Sequence, residues 1–151
     1  MSFDVHLMKF KNGEPSPYNA AAARAVIDST QHTEADQFGC MSVTLSDGLE
    51  FELFLGQDES ERGSFMFALR GFSETLVDFM YRLGCTDTFI LIAPSEEECV
   101  ILFEGAESSD LPEDLQEWML ESISSAEELA HKLLPDFSGW ADWVDSAPWS
   151  Q

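Results

Sequence analysis

The groups in this 151-residue chain able to do chemistry are three histidines, three cysteines and 29 carboxylates. A metal site made from one local segment places its ligands in Cys-x-x-Cys, His-Glu-x-x-His or the twelve-residue calcium-loop pattern. His6, His32 and His131 have no second histidine or cysteine three or four residues away, and Cys40, Cys85 and Cys99 form no close pair. Nothing in the sequence places a histidine beside Cys40 or Cys85 as the base that a thiol nucleophile needs. The glycines are isolated and fit turns, so there is no phosphate-cradling loop, and no Gly-x-Ser-x-Gly elbow is present. The spacing therefore predicts no catalytic residue, no metal and no cofactor, and a chain that binds rather than an enzyme.

The carboxylates are too many for pairs among them to identify an acid–base site. A general acid needs one carboxyl held among apolar groups, and most of these lie in segments that read as exposed. Calcium binding by Asp58, Glu59 and Glu61 lacks the ligand spacing of a known loop. Their sum is more informative. Net charge is −22, with 13 acids against 6 bases in residues 1–85 and 16 acids against Lys132 alone in residues 86–151. A field of that sign repels phosphates and anionic lipids and draws in basic surfaces. The predicted partner is a basic protein, with no direct nucleic acid and no membrane. The candidate contact residues are the acidic loop Asp58, Glu59 and Glu61, the glutamate turn Glu96, Glu97 and Glu98, and the helix face around Asp110, Glu113, Asp114 and Glu117. Charge that merely keeps the protein soluble is the plainer explanation, but solubility does not require the asymmetry between the halves.

These residues need a folded body. The apolar fraction is 44%, with 12 Phe and 4 Trp, well above what a disordered chain carries. Phe3, Val5 and Leu7 alternate as in a strand. The stretch from Lys11 to Pro17 is turn chemistry, and Asn19 can cap a helix over 20–29. Residues 30–39 read as a polar connection. Met41, Val43 and Leu45, then Ser46-Asp47-Gly48, then Leu49, Phe51, Leu53 and Leu55 form the clearest hairpin in the chain. Strands follow at 64–70, 88–93 and 99–103, with a helix between the first two that Ser73 caps and Gly84 stops.

Asp110-Leu-Pro-Glu113 and Ser125-Ala-Glu-Glu128 have capping-box spacing. The first predicts a helix carrying Leu111, Leu115, Trp118 and Met119. The second predicts one carrying Leu129, Leu133 and Leu134 and ending at Pro135. The order strand–helix–strand–strand occurs twice. The fold class is therefore α+β: a mostly antiparallel sheet from two βαββ-type units with C-terminal helices on one face. One domain spans 1–135, and residues 136–151 form a Trp-rich acidic tail that packs back as a lid or anchors a partner. No stretch is apolar enough to span a bilayer, and the first residues do not read as a secretory signal. Three widely spaced cysteines suit a reducing compartment. The expected location is the cytoplasm, and the oligomeric state stays open.

The opening Ser2-Phe3-Asp4-Val5, followed by Phe10-Lys11-Asn12-Gly13-Glu14-Pro15, resembles a family of small uncharacterised bacterial proteins with a Ser-Phe-Asp and Phe-x-Asn-Gly-Glu-Pro motif. The Ser46-Asp47-Gly48 hairpin and Leu111-Pro112-Glu113-Asp114 are also similar to that family. The resemblance implies no activity. In size and style such proteins are similar to the immunity proteins of toxin–immunity pairs, including those of type VI secretion. By that analogy, the chain is expected to neutralise a basic toxin, for example a nuclease, by occluding its active site. The alternatives are a nucleic-acid-mimicking regulator of a host basic protein, or a small enzyme with a carboxylate pair in a pocket.

Overall fold

The computed structural model describes residues 3–55, 64–93 and 98–146, and the side chains at 136 and 138–146 lie outside that description. Strand β1 (Phe3–Met8) leads into a small hairpin, β2 (Phe10–Lys11) and β3 (Glu14–Pro15). Asn12 and Gly13 turn this hairpin with φ of 54° and 81°, the pair of positive angles that a two-residue I′ turn requires. Helix α1 (Ala20–Asp28) starts at Asn19, whose side chain accepts from the Ala22 N–H. The polar connection contains a two-residue strand, β4 (Gln31–His32), ahead of the predicted hairpin, β5 (Cys40–Thr44) and β6 (Glu50–Phe54). Strand β7 (Ser64–Leu69) precedes α2 (Glu74–Gly84), capped by Ser73 accepting from the Leu76 N–H. Strands β8 (Ile90–Ile92) and β9 (Cys99–Leu102) follow. A 3-10 turn (Ser108–Asp110), α3 (Glu113–Gln116), β10 (Met119–Ser122) and α4 (Ala126–Ser146) complete the described chain.

The fold is α+β. Eight strands form one sheet in the order β10-β9-β8-β1-β7-β6-β5-β4, and β10–β9 is its one parallel pair among the described residues. Strand β1 opens the sequence but sits inside the sheet, antiparallel to β7 on one side and to β8 on the other. Its Phe3, Val5 and Leu7 are fully buried. Burial at that level stabilises by about 1.5–3 kcal/mol per side chain. Against this face pack α1 through Ala23 and Ile27, α2 through Leu76, Phe79, Met80 and Leu83, and α4 through Leu129 and Leu133. Phe79 lies 5.6 Å from Phe51 and 6.3 Å from Phe67, centroid to centroid, within the range where tilted rings attract.

Among the described residues the opposite face is covered only at the β8–β9–β10 end. There Ile90, Val100 and Leu102 meet Phe10 from the small hairpin and Leu111, Leu115 and Trp118 from the segment around α3. Over β1, β7, β6 and β5 the same face carries Asp4, Met66, Arg70, Ser42, Glu50 and Glu52 and lies open as a shallow concavity.

Several local expectations change. The helix predicted from Leu111 to Met119 is one turn, α3, and the chain then extends into β10, because Leu120 and Trp118 are needed against the sheet. Asp110 does not cap that helix. Its Oδ1 accepts from the Asn12 N–H at 3.2 Å, and its carbonyl accepts from the Gly13 N–H at 2.9 Å, so it anchors the I′ turn. Pro135 does not end α4, which runs on to Ser146. A proline inside a helix costs about 3 kcal/mol. Here it lies on the exposed side, and Phe137, two residues nearer the C-terminus, packs 5.5 Å from Phe3 and 5.3 Å from Phe72. The boundary expected at 135 is therefore crossed by one continuous helix. Of the tail's aromatics, the side chains of Trp140 and Trp143 and the whole of Trp149 lie outside the description.

Gly84 is the last residue of α2 rather than a left-handed stop, and a methyl group there would overlap the Phe103 ring. Helix propensity alone favours Gly84→Ala by about 1 kcal/mol. The ring contact reverses the sign. We expect Gly84→Ala to lower unfolding stability by about 1–3 kcal/mol in urea denaturation; a gain would show that the α2–Phe103 contact is looser than described.

Candidate partner-binding surface

The acidic groups sort by what the fold asks of them. Asp47, in the β5–β6 turn, receives hydrogen bonds from the Ser73 hydroxyl and the Leu49 N–H, which hold its carboxyl below the usual range. Asp28 accepts from His32 Nε2 at 2.9 Å and pairs with Arg24 at 3.2 Å. Glu121, on β10, meets Lys132 of α4 at 2.8 Å. The Lys132 hydrogen bond lowers the Glu121 carboxyl most, burial opposes it, and the Cys99 thiol, 3.5 Å away, adds to the lowering. Lys132 is the single base of residues 86–151, and this contact holds it to the edge of the sheet.

The remaining described cations show the same bias. Lys9 pairs with Asp87 at 3.0 Å and Arg82 with Asp78 at 3.2 Å. Four of the six described bases (Lys9, Arg24, Arg82 and Lys132) are thus engaged with carboxylates, leaving Lys11 and Arg70 without an ion pair among the described residues. No ion pair among the described residues reaches Glu98, Glu104, Glu107, Asp110, Glu113, Asp114 or Glu117.

Six of those seven acids, from Glu104 onward, share one stretch of structure. From Phe103 the chain turns at Gly105, whose φ is +89°, and crosses the open face of the sheet end. Leu111, Leu115, Trp118 and Leu120 point into the sheet. Glu104, Glu107, Glu113, Asp114 and Glu117 point outward and are exposed. The period is dictated by the apolar anchors: a segment that must bury Leu111, Leu115 and Trp118 has to turn its intervening carboxylates to water. Glu98, the residue before β9, joins them, because its carbonyl accepts from the Met119 N–H at 2.8 Å, two residues beyond Glu117. A shallow depression of about 520 Å³ lies between this segment and the Asn12–Gly13 turn, with Glu113 and Asp114 on its rim.

The structure therefore brings Glu98 and the set Asp110, Glu113, Asp114 and Glu117 into one acidic ridge. Asp110 has structural work within it. Asp58, Glu59, Glu61, Glu96 and Glu97 lie outside the described residues. Glu104 and Glu107 are not among the candidate residues; they lie three apart between β9 and Asp110, and that spacing is the signal that would have included them.

Among the described residues no group of three or more His, Cys, Asp or Glu side chains could hold a metal ion. Burial pushes the Cys40 thiol up from its ordinary value, and Glu52 and Asp36 push it further, the opposite of what activates a nucleophile. His32 is held between Asp28 and the Thr33 carbonyl. No helix among the described residues is long and apolar enough to cross a membrane.

Asp87 shows what a structural carboxylate contributes. Burial raises its carboxyl, but hydrogen bonds from the Thr88 N–H, Lys9 and the Asn19 N–H outweigh that and hold it below its usual value. The lowered value means its stabilisation is complete above the ordinary Asp range and is lost as pH falls through the folded-state value. Asp87→Asn should therefore cost about 1–2 kcal/mol at pH 6. The gap to the wild type should narrow in denaturation runs below about pH 4. A gap unchanged between those conditions would mean the charge on Asp87 contributes nothing. No family model, no curated protein and no solved structure matches this chain.

Proposed function

We propose that the chain is a binding protein for a basic partner, of the kind represented by cytoplasmic immunity proteins that occlude the active site of a toxin. The observation that carries this reading is the ridge from Glu98 to Glu117: outward carboxylates on an apolar backing, with no cation reaching them among the described residues. A partner whose basic groups bind phosphate would find there a rigid row of anions. The resemblance of the N-terminal motif to small bacterial proteins, and their likeness to immunity proteins, supports the choice of class. In this reading the chain performs no reaction of its own. Its work is encounter and coverage.

The physics is long-range first. At physiological ionic strength charges are screened over about 8 Å. Neighbouring carboxylates along one segment therefore act as a unit, while the opposite side of the molecule contributes little. Such complementarity raises association rates from about 10⁵–10⁶ M⁻¹s⁻¹ toward about 10⁸ M⁻¹s⁻¹ at low salt. Exposed ion pairs add only about 0–1 kcal/mol each once formed, so the ridge steers, and buried apolar contacts elsewhere must hold the complex.

The test compares the wild type with a variant neutralised at Glu98, Glu113, Asp114 and Glu117 (E98Q/E113Q/D114N/E117Q). Both are immobilised, and a lysate of the source cells is passed over them and eluted with salt. A basic protein should remain on the wild type and leave the variant at lower salt. In stopped-flow measurements with that protein, the variant should associate about tenfold more slowly at low salt, with a flatter salt dependence. Equal rates and equal salt slopes for the two would sink the ridge as the contact surface.

A further inference from the structure

Across the sheet from the ridge lies a second feature that the acidic segment does not explain. Helices α2 and α4 pack on the same face but leave a groove of about 790 Å³ between them. The cause is residue size. At the positions where α4 approaches α2 it presents Ala126 and Ala130, one turn apart, while its large side chains Leu129 and Leu133 go into the core. The floor is apolar, made by Phe72, Val77, Ala126, Ala130 and Leu134. Leu134 keeps 48% of its surface exposed, one of three large apolar side chains so placed among the described residues. The rims carry Glu74 and Asp78 on α2 and Glu127 on α4. Arg82 pairs with Asp78, and His131 stands 3.9 Å from Glu127.

We propose that this groove docks an amphipathic helix of a basic partner, with its apolar stripe on Leu134 and Ala130 and its lysine or arginine flanks against Glu74 and Glu127. From Ala126 to Leu134 the helix rise makes the groove about 12 Å long, enough for two turns of a third helix laid between two. Helix-in-groove recognition uses apolar anchors at i, i+3, i+4 and i+7 on one face. The charge decides the occupant. A second copy of this chain brings another −22 to an acidic rim, and an anionic lipid surface is repelled for the same reason. A cationic helix is attracted by the rim and buries the floor. The site is separate from the ridge from Glu98 to Glu117 and stands whether or not that ridge contacts a partner.

The test uses the full chain, labelled for NMR, and three short peptides. One is a Leu/Lys peptide with leucines at helical spacing, the second its Leu/Glu counterpart, and the third a scrambled Leu/Lys peptide of identical composition. The first peptide should shift resonances of α2 and the first half of α4, and the other two should not. L134S should weaken its binding about tenfold. E74Q/E127Q should weaken it about fivefold and flatten its salt dependence. E98Q/E113Q/D114N/E117Q should leave it unchanged. Leu134 is half exposed and the two glutamates are on the surface, so circular dichroism should report a native fold in each variant. Equal binding of the scrambled peptide, shifts centred outside the groove, or a wild-type chain that sediments as a dimer released by L134S would overturn the proposal.

Discussion

The sheet depends on the insertion of β1 between β7 and β8. Every hydrogen bond along Phe3–Met8 is made to residues more than fifty positions away, with Phe3 opposite Leu69 and His6 opposite Ile92. Two locally folded units, the β4–β7 meander and the β8–β9 pair, become one sheet only through this strand. Loop closure over such separations is entropically costly and must precede the reward of burying Phe3, Val5 and Leu7. The core is correspondingly rich in large rings. Phe65 and Phe89, 5.8 Å apart, and Tyr18, 4.4 Å from Phe65, stack where the two units meet.

Charge is organised by the same frame. Four of the seven cations are paired with carboxylates, two across elements and two along one helix. Lys9 and Asp87 tie the end of β1 to the α2–β8 turn and, through the Asn19 N–H, to the start of α1. Arg24 and Asp28 brace α1, Arg82 and Asp78 brace α2, and Lys132 and Glu121 fasten α4 to β10. Exposed pairs of this kind are individually weak. Their larger consequence is that they remove positive charge from the field and leave the carboxylates of the ridge uncompensated. The segment that carries those carboxylates is also the one that seals the second apolar cluster, so shielding of the sheet end and display of negative charge are a single structural event.

The two surfaces on opposite sides of the sheet differ in character. A row of exposed acids accelerates encounter but holds little. An apolar groove with an acidic rim offers both area to bury and charge to attract. The ridge stands on the sheet end through Leu111, Leu115 and Trp118, and the groove exists because Ala126 and Ala130 leave room beside Val77. Among the described histidines and cysteines only His131 borders either surface, on the groove's rim beside Glu127.

What depends on a few neighbouring residues was legible along the chain. The β5–β6 hairpin followed from strict alternation around Ser46-Asp47-Gly48, and the starts of α1 and α2 from Asn19 and Ser73. Ser125 and Glu128 formed their box, with the Glu128 carboxylate reaching one residue further, to Ser124. The acidity of the second half was a matter of counting. What depends on distant partners was not legible. Residues 119–122 have helical spacing with Leu115 but became a strand because β9 offered a parallel edge. Asp110 looked like a cap and serves a turn 98 positions away. Gly84 looked like a stop and makes space for Phe103, and Pro135 was passed because Phe137 had Phe3 and Phe72 to pack against. Hydrophobic period, caps and turns are energies of adjacent residues and show in order; pairing and packing are energies of residues that meet only once the chain has closed on itself.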